Sequence, residues 1–232
     1  MSTMVPRRCG EQTVSAVDAI AGRRSIRRFL PDAIERTTIE AVLALASRAA
    51  SGVNAQPWNV YVATGESRDT LAKEARSVAL MGADQPEYDY APKLWEPYVS
   101  RRRKIGFDLY SKYGVARDDY PARNEAALRN FDFFGAPVGL FFTMDRRFKY
   151  GQWLDMGIFM DSVMLAARAH GLDTCAQEAW CRVGTAVRAV LRIPMDQALI
   201  CGMSLGYADE SAPENHLATE RSAVSDFVIF RS

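Results

Sequence analysis

Histidine, paired cysteine and long apolar runs are scarce in this chain of 232 residues, and each scarcity closes a class of function. The two histidines, His170 and His216, lie far apart. His170 stands before Gly171 at the end of a strongly helical stretch, where a cation near the helix dipole is the ordinary reading. A Ser-His-Asp or Cys-His hydrolase built on either histidine lacks a suggestive neighbour. Cys9, Cys175, Cys181 and Cys201 show no CxxC spacing and no pairing with histidine, so neither a disulfide framework nor a metal site is expected. Cys175 and Cys201 read as buried structural thiols. No apolar run reaches the ~20 residues of a membrane helix, so no membrane partner is expected. The first ten residues include Arg7, Arg8 and Cys9 but no apolar secretory core, and a cytoplasmic location follows as an expectation. A net charge of +1 argues against nucleic acid as a main partner. Neither GxGxxG nor GxxxxGK[ST] occurs, which disfavours dinucleotide-fold dehydrogenases and P-loop enzymes.

What is present begins with 48% apolar residues, enough for one well-cored domain over residues 1–232. Two short segments stand out. Arg23-Arg24-Ser25-Ile26-Arg27 gathers three guanidinium groups and a hydroxyl at the break between a helix and a proline-containing turn, where they can converge on one phosphate. Ion pairing with nearby Asp32 and Glu35 is the structural alternative. Ser51-Gly52-Val53-Asn54-Ala55-Gln56-Pro57-Trp58 closes an alanine-rich helix with small polar residues before Pro57 forces the chain out of helical geometry, a corner suited to a flat, hydrogen-bonding ligand. The Arg101-Arg102-Arg103-Lys104 run reads as a solvated helix face.

Periodicity predicts helices over 14–21, 37–50, 67–81, 97–113, 152–169 and 184–191, and strands over 58–63, 138–143, 172–177 and 198–206. The helix over 152–169 is apolar on more than one face and is expected to be central, with a place at a dimer interface. Residues 82–121 form an aromatic, semi-polar insertion that reads equally as a lid or subunit contact and as a peripheral helical hairpin. Residues 212–232 read as an arm whose 224–230 segment is a lone strand in need of a neighbour's edge.

Arg-Arg-Ser-x-Arg at 23–27, Ser-x-x-Asn-x-Gln-Pro-Trp at 51–58, Gly-Leu-Asp-Thr-Cys-Ala-Gln-Glu-Ala at 171–179, and Gly-Tyr-Ala-Asp followed by Arg221 occur in one order. Together they resemble the FMN-dependent nitroreductase family, closest to the bacterial enzymes that reduce nitrobenzoates and dinitrobenzamides. That resemblance implies an α+β, nitroreductase-like fold: a central, mostly antiparallel sheet flanked by helices, in an intertwined homodimer with C-terminal strand exchange. It implies FMN as bound cofactor, with Arg23, Arg24, Ser25 and Arg27 around the phosphate, ribityl chain and pyrimidine edge. Arg221 closes on the phosphate, and Ser51 and Asn54 reach the flavin from the other subunit. Ala176, Gln177 and Glu178 lie beside the ring; the family often has Pro at the first of these positions and Gly at 179. Asn130 is the candidate for a pyrimidine contact.

The same resemblance implies ping-pong kinetics. NADPH or NADH reduces the flavin and leaves, and a nitroaromatic, or a quinone, then stacks on the same face; the nitro group passes through nitroso to hydroxylamine. No side chain need serve as nucleophile, because the cofactor carries the chemistry and the protein supplies positive charge and N–H donors. Tyr88, Tyr90, Trp95, Tyr98 and Phe107 of the insertion would bracket a flat acceptor, and Arg101 to Arg103 would attract a carboxylate or the NADPH 2′-phosphate. Two alternatives stay open: a reductive dehalogenase on the same FMN scaffold, with Thr174 and Cys175 near the ring, and a non-catalytic flavin-binding protein.

Overall fold

The computed structural model describes residues 14–82, 86–88 and 93–231; Cys9 and Tyr90 lie outside them. A four-stranded antiparallel sheet forms the centre, in the order β1 (Asn59–Thr64), β2 (Val138–Asp145), β4 (Gln197–Gly206), β3 (Asp173–Gln177). Its helices are α1 (Ala16–Gly22), α2 (Arg36–Ala46), α3 (Gly65–Leu80), α4 (Tyr98–Lys112), α5 (Tyr120–Leu128), α6 (Tyr150–Ala169) and α7 (Gly184–Leu191).

β2 and β4 are buried on both faces because helices cover both, so neither shows the polar alternation of a half-exposed strand. Period-two geometry then sends Leu140, Phe142 and Met144 to one side, onto Val42 of α2 and Met156, Phe159 and Val163 of α6. Phe141 goes to the other, onto Phe133, Trp180, Leu71 and Val187. Phe133 and Trp180 stack with centroids 4.4 Å apart. Their rings press on β2 at Gly139 and on β4 at Gly202, where any Cβ would collide with them. Burying each such aromatic side chain stabilises by about 1.5–3 kcal/mol, so the two glycines are packing requirements.

Four of the expected strands and all six expected helices are present, with no end shifted by more than four residues. Three findings differ from expectation. Helix α5 was not anticipated, although Asp119 accepts from the Ala122 N–H at 2.9 Å as its N-cap and Pro121 sits in the first turn. Residues 224–230 are not a strand: a 3-10 turn covers Val224–Asp226 and irregular chain follows, with Phe227, Ile229 and Phe230 exposed. No sheet edge pairs with this segment among the described residues, and an extended chain without an edge leaves its backbone groups to water. Helix α6 packs only one side on the sheet; Leu154 and Ile158 on its outer side are exposed.

Candidate functional site

The 23–27 segment lies along the free edge of β3. Ser25 forms a parallel bridge with Thr174, and the Ile26 N–H donates to the Thr174 carbonyl at 3.0 Å. The following residues are fixed from the far side. Asn215, almost fully buried, accepts the Arg27 N–H at 2.8 Å through Oδ1, and its Nδ2 donates to the Arg28 carbonyl at 2.7 Å. Arg129 donates to the Arg27 carbonyl at 2.9 Å. The backbone at Ile26, Arg27 and Arg28 is thus held by groups outside the cradle.

Those side chains are uncommitted. Arg23, Arg24 and Arg27 form no ion pair with a carboxylate among the described residues, so the pairing with Asp32 and Glu35 is not found. Arg24 reaches only the Asn215 carbonyl, at 3.4 Å, and Arg27 the Ser25 carbonyl, at 3.2 Å. The buried Cys175 thiol feels two of these guanidinium groups. Burial pushes the thiol's pKa up, while Arg27, Arg23 and neighbouring Ser25 pull the other way. Three guanidinium groups with no carboxylate counter-charge among the described residues are chemically suited to an anion.

The other half of β3 opens into a cavity of about 540 Å³ lined by Ala176, Gln177, Glu178, Asn130, Trp153 and Tyr88, among others. Ala176 is exposed there. Gln177 is buried: its side-chain amide donates from Nε2 to the Asn130 carbonyl at 2.7 Å, and its Oε1 accepts from Ser204 at 2.6 Å. It therefore fixes the strand end and the position of Asn130. Desolvation raises the Glu178 carboxyl. Tyr88 donates to the Ile200 carbonyl at 2.8 Å and meets Trp153 edge-on at 4.9 Å. Desolvation, then the neighbouring Cys181, hold its phenol well above the ordinary value, so it stays a donor. Glu87 anchors this residue to the body by pairing with Arg146 and with Arg188, the latter at 2.6 Å.

Other anticipated site residues stand elsewhere in the single chain. The turn at Gly52–Asn54 is tied to α6 by the Gly52 N–H, which donates to Asp155 at 3.0 Å. Gly22, at the start of the cradle, lies against Arg168 of the same helix. Residues 155 and 168 are about 20 Å apart along a helix axis, so Ser51 and Asn54 are remote from the cradle of their own chain. Val53 is 99% exposed at a positive φ of 49°, a strained state for a β-branched residue, beside Asn54 at 58°. Arg221 donates to the Thr219 hydroxyl and carbonyl and lines a separate cleft with Arg101 and Arg102. Trp95 and Tyr98 pack edge-on with each other at 5.4 Å, and Phe107 lies under Arg117 in another cleft. Of the aromatic candidates, Tyr88 alone lines the cavity among the described residues.

Residues 20–207, which carry the cradle, β3 and the cavity, match the model of the nitroreductase family. The chain belongs to the nitroreductase family. Within it, the chain is 40% identical to a nitrobenzene nitroreductase of Ectopseudomonas oleovorans over 217 residues, 92% of this chain and 95% of that protein. It is 38% identical to a 4-nitrobenzoate reductase of Pseudomonas putida, over 91% and 93% of the two chains. The structure of the FMN- and NADPH-dependent nitroreductase NfnB from Sphigopyxis sp. strain HMH superposes with a TM-score of 0.92 at 39% identity, covering 94% of this chain and 99% of that one. The nitroreductase-like fold expected from the motifs is therefore the fold found. Asn215, Glu214 and Arg129, which fix the cradle from behind, were missed. Nothing in their local sequence marks them, because their role depends on contacts between residues roughly a hundred or more apart in the chain.

Proposed function

We propose that this chain is an FMN-dependent NAD(P)H oxidoreductase that reduces nitroaromatic compounds. The observation that carries the reading is the set of three guanidinium groups without counter-ions at the edge of a strand whose other end opens into a cavity. The donor set fits FMN. Arg23, Arg24 and Arg27 with the Ser25 hydroxyl suit a phosphate and a polyol, and the exposed Ala176 with the flanking cavity suits a flat ring.

FMN, when bound, supplies the two-electron relay between nicotinamide and nitro group. The protein's residues do the rest. Arg27 places positive charge beside β3, where negative charge develops. Gln177 and Ser204 hold the strand end in register. Tyr88, Trp153 and Met160 wall the cavity in which NAD(P)H and the acceptor sit in turn, which makes the kinetics ping-pong. One nitro group and two NAD(P)H with two protons give one hydroxylamine, two NAD(P)+ and one water. Quinones, also flat, are accepted in the same cavity.

The reading extends to a homodimer. Exposed Leu154 and Ile158 on α6 and exposed Phe227, Ile229 and Phe230 on the arm leave apolar surface that a second copy would cover, with Ser51 and Asn54 reaching the partner's cradle.

An absorption spectrum followed by anaerobic NADPH and then 4-nitrobenzoate tests the function. A flavin spectrum that bleaches and returns, with 4-hydroxylaminobenzoate as product, is expected. A colourless protein that takes up no added FMN overturns it, and a yellow protein that never turns over leaves only flavin binding.

A further inference from the structure

Tyr113, the C-cap residue of α4, has a buried hydroxyl with no hydrogen-bond partner. Its ring lies against the Arg129 guanidinium, 4.6 Å from ring centroid to the guanidinium carbon. That same guanidinium donates to the Arg27 carbonyl at 2.9 Å and to Glu214 at 3.0 Å. The phenol is therefore one side chain away from the Arg27 end of the cradle. Burial pushes its pKa up to about 12, against the pull of Arg129 and Arg27 and with support from Glu214 and Cys175. It remains protonated at any working pH and must donate.

A buried phenol without an acceptor costs free energy that a phenylalanine at the same place would not. Here the ring alone would serve the cation–π contact with Arg129. The hydroxyl thus has no use among the described residues, and it stands beside a cluster of guanidinium groups with no carboxylate partner among them. We propose that Tyr113 is a ligand-binding residue of this site, its hydroxyl donating to an acceptor oxygen of the bound flavin. The inference rests on the FMN reading and adds a contact from the insertion. Helix α4 has no buried residue among its own fifteen, so a bond from its C-cap to the cofactor would tie the insertion to the occupied site.

Two quantities should move in opposite directions in Tyr113→Phe. Flavin-free protein should melt at the same temperature as the parent or higher, since an unsatisfied buried polar group has gone. Its dissociation constant for FMN, from quenching of flavin fluorescence, should rise about fivefold to tenfold. Tyr110→Phe, whose ring faces Arg123 in another cleft, should leave the constant within twofold. An unchanged constant in Tyr113→Phe would overturn the inference. So would a loss of flavin-free stability alongside the loss of affinity, because the hydroxyl would then already have had a partner without FMN. If the parent protein itself takes up no FMN, the functional reading falls first, and the two failures are told apart.

Discussion

Arginines on the two sides of Arg27 live in opposite chemistry. Arg28 and Arg129 share the carboxylate of Glu214, and Arg146 and Arg188 share that of Glu87; the two carboxylate side chains are 2% and 8% exposed. Arg23, Arg24 and Arg27 have no such carboxylate among the described residues. A buried carboxylate between two guanidinium groups is a structural joint, because losing either side leaves charge stranded in low dielectric. A guanidinium cluster held only by its backbone is set up to meet an anion from outside. The difference teaches that a count of arginines says little about function, while the inventory of their partners says much.

Removing Glu87 should break that contrast most severely. Arg188, whose side chain is 10% exposed, would keep a buried charge without a counter-charge, and the anchor of Tyr88 would go with it. Glu87→Ala should lose about 3 kcal/mol in urea unfolding, and Glu87→Gln, which keeps one acceptor oxygen for the guanidinium groups, should lose clearly less. Glu214→Ala comes next, at about 2 kcal/mol, since Arg28 is half exposed and can turn to water. The Glu214 joint also has a pH signature. Burial alone would raise its carboxyl, but its backbone N–H, Arg129 and Arg28 outweigh that and hold it below the ordinary 4.5. A depressed carboxyl stabilises the fold above its unfolded-state value and loses that contribution as pH falls through its folded one. Parent and Glu214→Gln should therefore converge in stability as pH falls from the ordinary 4.5 through the lower folded-state value.

Arg27→Ala is the reverse experiment. It should weaken FMN binding about 10- to 50-fold, the worth of a charge-assisted hydrogen bond, while leaving the melting temperature of flavin-free protein within about 1 °C. A large loss of flavin-free stability would place Arg27 among the structural arginines and remove the contrast.

Much of this was legible from local pattern. β2 and β4 show as unbroken apolar runs, and α7 falls at residues 184–191 as periodicity predicts. The cradle showed because three arginines in five residues are conspicuous. What was not legible depends on distant partners. Asn215 looks like any loop asparagine until its Oδ1 is found under the Arg27 N–H, 188 residues away. Trp95, Tyr98 and Phe107, chosen as aromatics of the insertion, lie against other side chains in this chain. Composition marks a segment as rich in rings but leaves open which way each ring faces. The arm at 224–230 has strand composition without a strand, because an extended segment is completed only by an edge.

Glu178 offers the finest test, because its charge has the opposite relation to its surroundings. Desolvation raises its carboxyl above the ordinary 4.5, and no arginine or lysine offsets this among the described residues. A raised carboxyl disfavours the folded state wherever it is ionised, and the penalty disappears as pH falls through its folded value. Glu178→Gln should therefore raise the melting temperature of flavin-free protein at neutral pH by about 1 °C, a small gain because the group still reaches water. The gain should vanish on acidification, where parent and variant both carry a neutral side chain. The Glu214 pair converges in acid because a benefit is lost; the Glu178 pair converges because a penalty is relieved. Equal melting temperatures at neutral pH would mean that Glu178 is as well solvated as any surface carboxylate, and the cavity mouth would then be wetter than its lining suggests.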